Sequence, residues 1–214
     1  YESQIRRIRR KRKRNLYLNM IVITNPIAIS NEIKIIPSLF EEGLSFLHIR
    51  KPDFSETEME SFLLEIGLEY RNRLVLHSHH HLAKEMNINQ LHFSEKERNL
   101  ILGEILKPIK YHSTSVHNID DFNALKYNFE YAFLSPIFPS ISKPNYTPKI
   151  NHFKTLKHRT NFDTKLVALG GISAENIQQT LENGFDNVAL LGTLWNSSNP
   201  LENFKKCQQI ALSF

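Results

Sequence analysis

The chain has 214 residues, 41% of them hydrophobic, enough for one sizeable core and too few for two comfortable domains. No apolar run approaches the length of a membrane span, and one cysteine, Cys207, excludes an internal disulfide and fits a reducing, cytoplasmic compartment. The net charge of +5 is local: residues 1–19 carry eight Lys/Arg against the single acid Glu2, and the remainder holds 19 basic and 21 acidic residues.

The run RRIRRKRKR is therefore read as a disordered or artefactual extension, not as a nucleic-acid or anionic-membrane patch. Residues 20–214 read as one folded domain. Ile21–Thr24, closed by Asn25-Pro26, reads as a first buried strand. A helix over Glu32–Glu42 follows, interrupted by Pro37 and ended by Gly43. Phe46–Arg50 is the second strand. Ser55 with Glu58 three residues on forms a capping box for a helix to about Tyr70, with Met59, Phe62, Leu63 and Ile66 on one face.

Leu74–His77 and Leu91–Phe93 are the third and fourth strands, separated by a short helix at Leu82–Met86. A helix at Leu100–Leu106, a fifth strand at Ile109–Thr114, a helix at Asp120–Leu125 and a sixth strand at Tyr131–Leu134 come next. The loop SPIFPSISKPNYTPK is long and rich in Pro and Ser, as loops that cover or form a site are. A weakly marked helix at 151–160 precedes two apolar runs, Leu166–Leu169 and Val188–Leu191, with one helix-length segment between them. Asn199-Pro200 starts a last helix to Leu212, with Cys207 packed in it. Eight short strands alternating with helices define an α/β protein and predict a compact (β/α)₈ TIM barrel.

In such a barrel the βα loops converge at the C-terminal ends of the strands, where sites form. Those ends carry His48, Arg50 and Lys51, then His77, Ser78 and His79, then Glu97, then Ser115 and His117. Ser140, Ser142 and Lys143 follow in the long loop, and Gly170, Gly171, Leu191 and Gly192 stand at the ends of the last two strands. Arg offers a planar fork for phosphate oxygens, Lys a mobile charge and Ser a neutral donor, so the set points to a phosphorylated or pyrophosphorylated small molecule. Backbone N–H groups at the glycine-rich ends of strands seven and eight suit a phosphate, with ordinary tight turns as the alternative. Histidines 77, 79, 80 and 81 lack the spacing of a familiar zinc site. His117 is an acid/base candidate, with a capping or packing role as the alternative.

From Ile21 to about Leu212 the sequence resembles the thiamine phosphate synthase and TenI family of (β/α)₈ barrels, through FLHIRKPD, LHSHHHLAKEMNINQLHFS, STSVHNIDD, YAFLSPIFPSISK and VALGGISAENIQQTLENGFDNVALLG. The resemblance implies joining of a hydroxymethylpyrimidine diphosphate to a thiazole phosphate with release of pyrophosphate and use of Mg²⁺. The TenI branch instead aromatises a thiazole phosphate carboxylate by metal-free proton transfer, and a non-catalytic thiazole- or thiamine-phosphate-binding regulator is a third expectation.

The resemblance places Arg50 on the pyrophosphate, Ser115 after strand five, and Lys143 on the lysine of the loop pattern G-P-x-x-x-T-x-T-K. Ser140 and Ser142 stand for that loop's threonines, and Gly171, Leu191 and Gly192 fall on the thiazole-phosphate cradle. Lys51 is a shifted substitute for the lysine of Gln-x-Arg-x-Lys. His77-Ser78 replace an Asn-Asp pair, so one metal carboxylate is missing, and Glu97 aligns with the other. TenI's acid/base histidine falls on Pro136, which moves that role to His117 or His48. The expected partners are the two small-molecule phosphates, with no membrane, no nucleic acid, and a homodimer as the assembly.

Overall fold

The computed structural model describes residues 20–100, 111–126, 129–141 and 147–214. The predicted helix at Leu100–Leu106, apart from its first residue, and the first two residues of the predicted fifth strand lie outside these, as do Ser142 and Lys143.

Eight parallel strands close into a barrel in sequence order: β1 (Ile21–Ile23), β2 (Phe46–Ile49), β3 (Leu74–Leu76), β4 (Gln90–Phe93), β5 (Tyr111–Val116), β6 (Tyr131–Leu134), β7 (Lys165–Ala168) and β8 (Asn187–Leu190). Closure is made by β1 against β8, with Ile21 opposite Ala189 and Val22 opposite Leu190. Successive side chains on a strand point to opposite faces, and that alternation sorts the core into two shells. Val22, Leu47, Ile49, Leu74 and Leu76 face outward into the layer shared with the helices. Ile21, Ile23, Phe133, Val167 and Ala189 fill the barrel interior.

The helices are α1 (Glu32–Glu41), α2 (Glu56–Ile66), α3 (Leu82–Glu85), α4 (Glu95–Leu100), α5 (Ile119–Asn123), α6 (His152–Thr155), α7 (Ile177–Glu182), α8 (Gly192–Trp195) and α9 (Pro200–Leu212). Pro37 does not break α1, because Ile36, Leu39 and Phe40 beside it are buried in the core and their packing offsets the lost backbone bond. The Ser55–Glu58 capping box is present, whereas α2 stops at Gly67 and the stretch to Arg73 is a 3₁₀ turn. Helix α4 starts at Glu95, five residues before the expected helix: Ser94 and Glu97 form a second capping box, with Glu97 N–H donating to Ser94 Oγ at 3.3 Å and Ser94 N–H to Glu97 Oε2 at 2.8 Å. Strand β5 runs to Val116, which puts Ser115 on the strand and not beyond it.

Helix α8 has no counterpart among the predicted elements. Trp195 Nε1 donates to Ile23 O at 2.7 Å, tying α8 across the top of β1. Among the described residues no helix is long and apolar enough to cross a membrane.

Candidate functional site

A cavity of about 570 Å³ opens at the C-terminal ends of the strands. Arg50, His77, Ser78, Glu97, Ser115 and His117 line one side of it. Ser140, Gly170, Gly171, Leu191 and Gly192 line the other. The structure thus gathers the predicted residues it describes around one mouth, with two exceptions in role.

Lys51 is the first. Its side chain is fully buried, and its ammonium donates to the Glu32 carboxylate, to Asn25 O at 2.7 Å and to Ile27 O at 3.3 Å. Three donors meet three acceptors, so the expected role on a diphosphate is not available to it. The ammonium also sits 4.9 Å from the Phe62 ring centroid, and Glu32 accepts from Asn25 N–H at 2.8 Å. Lys51 therefore staples the loop after β1. Burial pushes the Glu32 carboxyl above its usual range despite the ammonium beside it.

His48 is the second. It is fully buried inside the barrel, below the cavity, and both ring nitrogens are engaged: Nδ1 lies 2.8 Å from His77 Nε2 and Nε2 lies 2.6 Å from the Tyr131 hydroxyl. It does not reach a ligand in the mouth directly.

Arg50 is held by its backbone, its N–H donating to Thr24 Oγ1 at 2.8 Å and its carbonyl accepting from the same hydroxyl at 3.3 Å. Among the described residues no carboxylate pairs with its guanidinium. Ser115 Oγ lies 2.9 Å from His92 Nε2, and Arg98 fixes that strand end by donating to Thr114 Oγ1 at 2.9 Å and Ser115 O at 2.6 Å. His117 Nδ1–H donates to Ser135 O at 2.9 Å, which leaves Nε2 with the lone pair. That nitrogen stands 3.9 Å from Glu95 Oε2.

Gly170 and Gly171 have φ of +97° and +65°. A Cβ on Gly170 would stand 2.9 Å from Pro136 Cα, and one on Gly171 2.7 Å from Phe138 Cβ. The loop after β6 is pressed onto this turn, Ile137 N–H donating to Leu169 O and Phe138 N–H to Gly170 O at 3.0 Å each. Glycine is needed here to seat the loop, as in the tight-turn reading, and both glycines line the cavity.

Sequence reasoning misses His92, which lines the cavity floor beside His77, and Ser113 and Tyr131, which lie buried beneath it with His48. The signal is a polar residue at an inward position of an otherwise apolar strand, as in Leu91-His92-Phe93. Burial pushes His92 down to about 3 and holds His48 and His77 well below the usual imidazole range, so all three are uncharged at neutral pH. The His77–His81 run is split: His80 packs on Phe93 and His81 pairs with Glu56 at 3.1 Å.

The Mg²⁺ implied by the resemblance finds one aligned carboxylate here instead of two. Glu97 commits Oε2 to the Ser94 hydroxyl and N–H at 2.6 and 2.8 Å, and His77-Ser78 offer no carboxylate. The group with metal-ligand spacing among the described residues is His48, His77 and His92, all nitrogen donors within 4.8 Å. His77 and His92 are stacked, 4.1 Å apart and 19° from parallel, so their in-plane lone pairs run side by side instead of converging. Hydrogen bonds, not an ion, organise this cluster.

Fold and mouth together define a (β/α)₈ barrel with a polar-lined cavity at the C-terminal ends of its strands. The family model described as thiamine monophosphate synthase matches residues 20–194, and the protein belongs to that family. It is similar to a thiamine-phosphate synthase of Prochlorococcus marinus, 28% identical over 188 residues, covering 86% of this chain and 50% of the relative. It is also similar to one of Streptococcus suis, 25% identical over 139 residues, covering 64% and 60%. The sequence thus spans about half to three-fifths of the length of these two relatives. Among solved structures, a thiamine phosphate pyrophosphorylase from Bacteroides thetaiotaomicron superposes with a TM-score of 0.71 at 31% identity, covering 90% of this chain and 96% of that one. One from Pyrococcus furiosus shares the fold with a TM-score of 0.77 at 16% identity, covering 93% and 98%.

Proposed function

We propose that the mouth binds a hydroxymethylpyrimidine diphosphate and a thiazole phosphate and joins them, releasing pyrophosphate. The observation that carries this reading is the two-ended cavity, with the Arg50 guanidinium on one side and the bare backbone of Gly170, Gly171 and Gly192 on the other. In the reaction the thiazole ring nitrogen bonds to the pyrimidine methylene carbon, and the carbon–oxygen bond to the diphosphate breaks, its electron pair leaving with pyrophosphate. Negative charge builds on that leaving group, and a guanidinium beside it lowers the barrier. Lys143 is proposed as a second cation from the loop after β6. Ser115 and Ser140 supply neutral donors. Because the carboxylates here do not make a Mg²⁺ nest, no step is assigned to the ion.

A second reading, metal-free proton transfer on a thiazole phosphate carboxylate, is favoured by one observation. His117 is held with Nδ1–H on Ser135 O, leaving Nε2 free to accept a proton.

An assay of the full-length protein with both phosphates, in excess Mg²⁺ and in a chelator, separates the two. The proposal expects thiamine phosphate. Absence of that product at high enzyme concentration rejects joining, and aromatisation of the thiazole carboxylate in its place supports the second reading.

A further inference from the structure

Six side chains that the joining reaction leaves idle, apart from Ser115, form two hydrogen-bonded runs that meet where Tyr131 faces Ser113. His77 Nε2 lies 2.8 Å from His48 Nδ1, and His48 Nε2 lies 2.6 Å from the Tyr131 hydroxyl. Tyr131 stands opposite Ser113, its register partner on β5, and the Ser113 hydroxyl is placed to interact with it as well as with Leu91 O at 3.5 Å. Ser113 Oγ lies 2.9 Å from His92 Nδ1, and His92 Nε2 lies 2.9 Å from Ser115 Oγ. The four middle groups are buried, while both ends, His77 and Ser115, line the cavity. The path therefore leaves the mouth at His77 on the β3 side, passes beneath the floor through His48, Tyr131 and Ser113, and returns through His92, which also lines the cavity, to Ser115 on β5. Phe133 packs against the His48 and His92 rings, with centroids at 4.9 and 5.1 Å, and supplies an apolar wall to the path.

Each neutral member carries a donor and an acceptor, so the path can be polarised in either direction. A buried polar network of this size is a stability risk compared with the apolar filling that Ile23, Val167 and Ala189 provide elsewhere in the same interior, and its retention calls for a use. We propose that it is a proton relay joining two points of the mouth. It serves a tautomeric shift on a phosphorylated heterocycle with one acidic C–H, on the ring or on a substituent, and one basic acceptor atom.

The protons balance as follows. His77 Nδ1 takes a proton from the ligand while Nε2–H passes to His48 Nδ1. His48 Nε2–H passes to Tyr131, Tyr131 O–H to Ser113, and Ser113 O–H to His92 Nδ1. His92 Nε2–H passes to Ser115, whose own proton goes to the ligand. Every bond along the path reverses, no buried group becomes charged, and the ligand loses one proton and gains one elsewhere. Rotation at the hydroxyls and proton exchange with water at the two ends reset it. The chemistry rests on the second reading above; the geometry does not. A single base such as His117 takes and returns a proton at one atom, whereas the relay takes it at His77 on the β3 side and returns it at Ser115 on β5.

Histidine tautomers read by nitrogen-15 NMR in the full-length protein test it. Tyr131→Phe keeps the ring and removes the hydroxyl, and Ser113→Ala cuts the same path next door. The relay predicts that either variant shifts the tautomer signals of both His77 and His92, though Tyr131 is hydrogen-bonded to neither ring. Movement confined to His48 in Tyr131→Phe and to His92 in Ser113→Ala overturns the proposal.

With thiazole phosphate carboxylate as substrate, the relay expects aromatisation to fall at least tenfold in kcat with KM within twofold. The curved dependence of rate on deuterium content should become linear. Full rate in Tyr131→Phe beside a dead His117→Ala overturns the relay in favour of a one-base shuttle. Wild-type protein that shows the tautomer coupling but no aromatisation upholds the relay and rejects the second reading.

Discussion

The barrel interior is built in two ways. On β2, β4 and β5 the inward positions are His48, His92, Ser113 and Ser115, every one hydrogen-bonded, and Tyr131 of β6 joins them through His48, while Val75 is the apolar inward residue of β3. On β6 to β8 and β1 the positions nearer the mouth are Phe133, Val167, Ala189 and Ile23, which pack as hydrocarbon, and glycine follows β7 and β8. The hydrocarbon half is the less demanding way to fill a barrel, since it needs no partner for any atom. It ends in backbone that an anion can approach. The polar half must satisfy every donor and acceptor and offers protons and one cation. In the proposed function one half holds a ligand and the other acts on it.

The largest effect that sharpens this contrast concerns Lys51, which stands at the polar side yet belongs to the scaffold. Lys51→Ala leaves Glu32 buried and unpaired and should cost about 3–5 kcal/mol of stability by urea unfolding. The double variant Lys51→Met/Glu32→Leu should recover most of that loss. Unchanged stability in the single variant would return Lys51 to the candidate phosphate ligands.

Acid should undo the polar half first. His48 and His92 sit below the usual 6.5 in the folded protein, so the unfolded state binds protons that the folded state refuses. Their contribution is complete above pH about 6.5 and is lost as pH falls toward the folded values. Between pH 7 and 5 His92 alone should remove about 2 kcal/mol, at ~1.4 kcal/mol per pH unit. Flat urea midpoints over that interval would show that the floor is hydrated and not dry.

On the opposite half, Gly171→Ala meets a positive φ and the loop after β6. It should lower stability by about 2 kcal/mol. It should also weaken binding of thiazole phosphate while leaving binding of pyrophosphate unchanged, both measured by calorimetry.

The strands are legible in the sequence because short apolar runs such as Leu74–Leu76 and Asn187–Leu190 are buried on both faces, and their number and spacing define a barrel. The mouth is legible because strand ends converge in that fold. The floor is not, since which face of Leu91-His92-Phe93 points inward is decided only by closure against β3 and β5. Lys51 misleads because its partner Glu32 lies on the far side of β2, in a helix that nothing local connects to it. Glu97 resembles a metal ligand in sequence, although Ser94 three residues earlier carries the simpler explanation, a capping box.

The claim that the mouth has two separate anion ends is tested most directly by titrating pyrophosphate and thiazole phosphate separately into wild-type protein and Arg50→Ala. The loss of one charge-assisted contact is worth about 1.5–3 kcal/mol. Pyrophosphate affinity should therefore fall about 10- to 100-fold while thiazole phosphate affinity stays within twofold. Equal loss of both would contradict two ends and leave a single shared anion site.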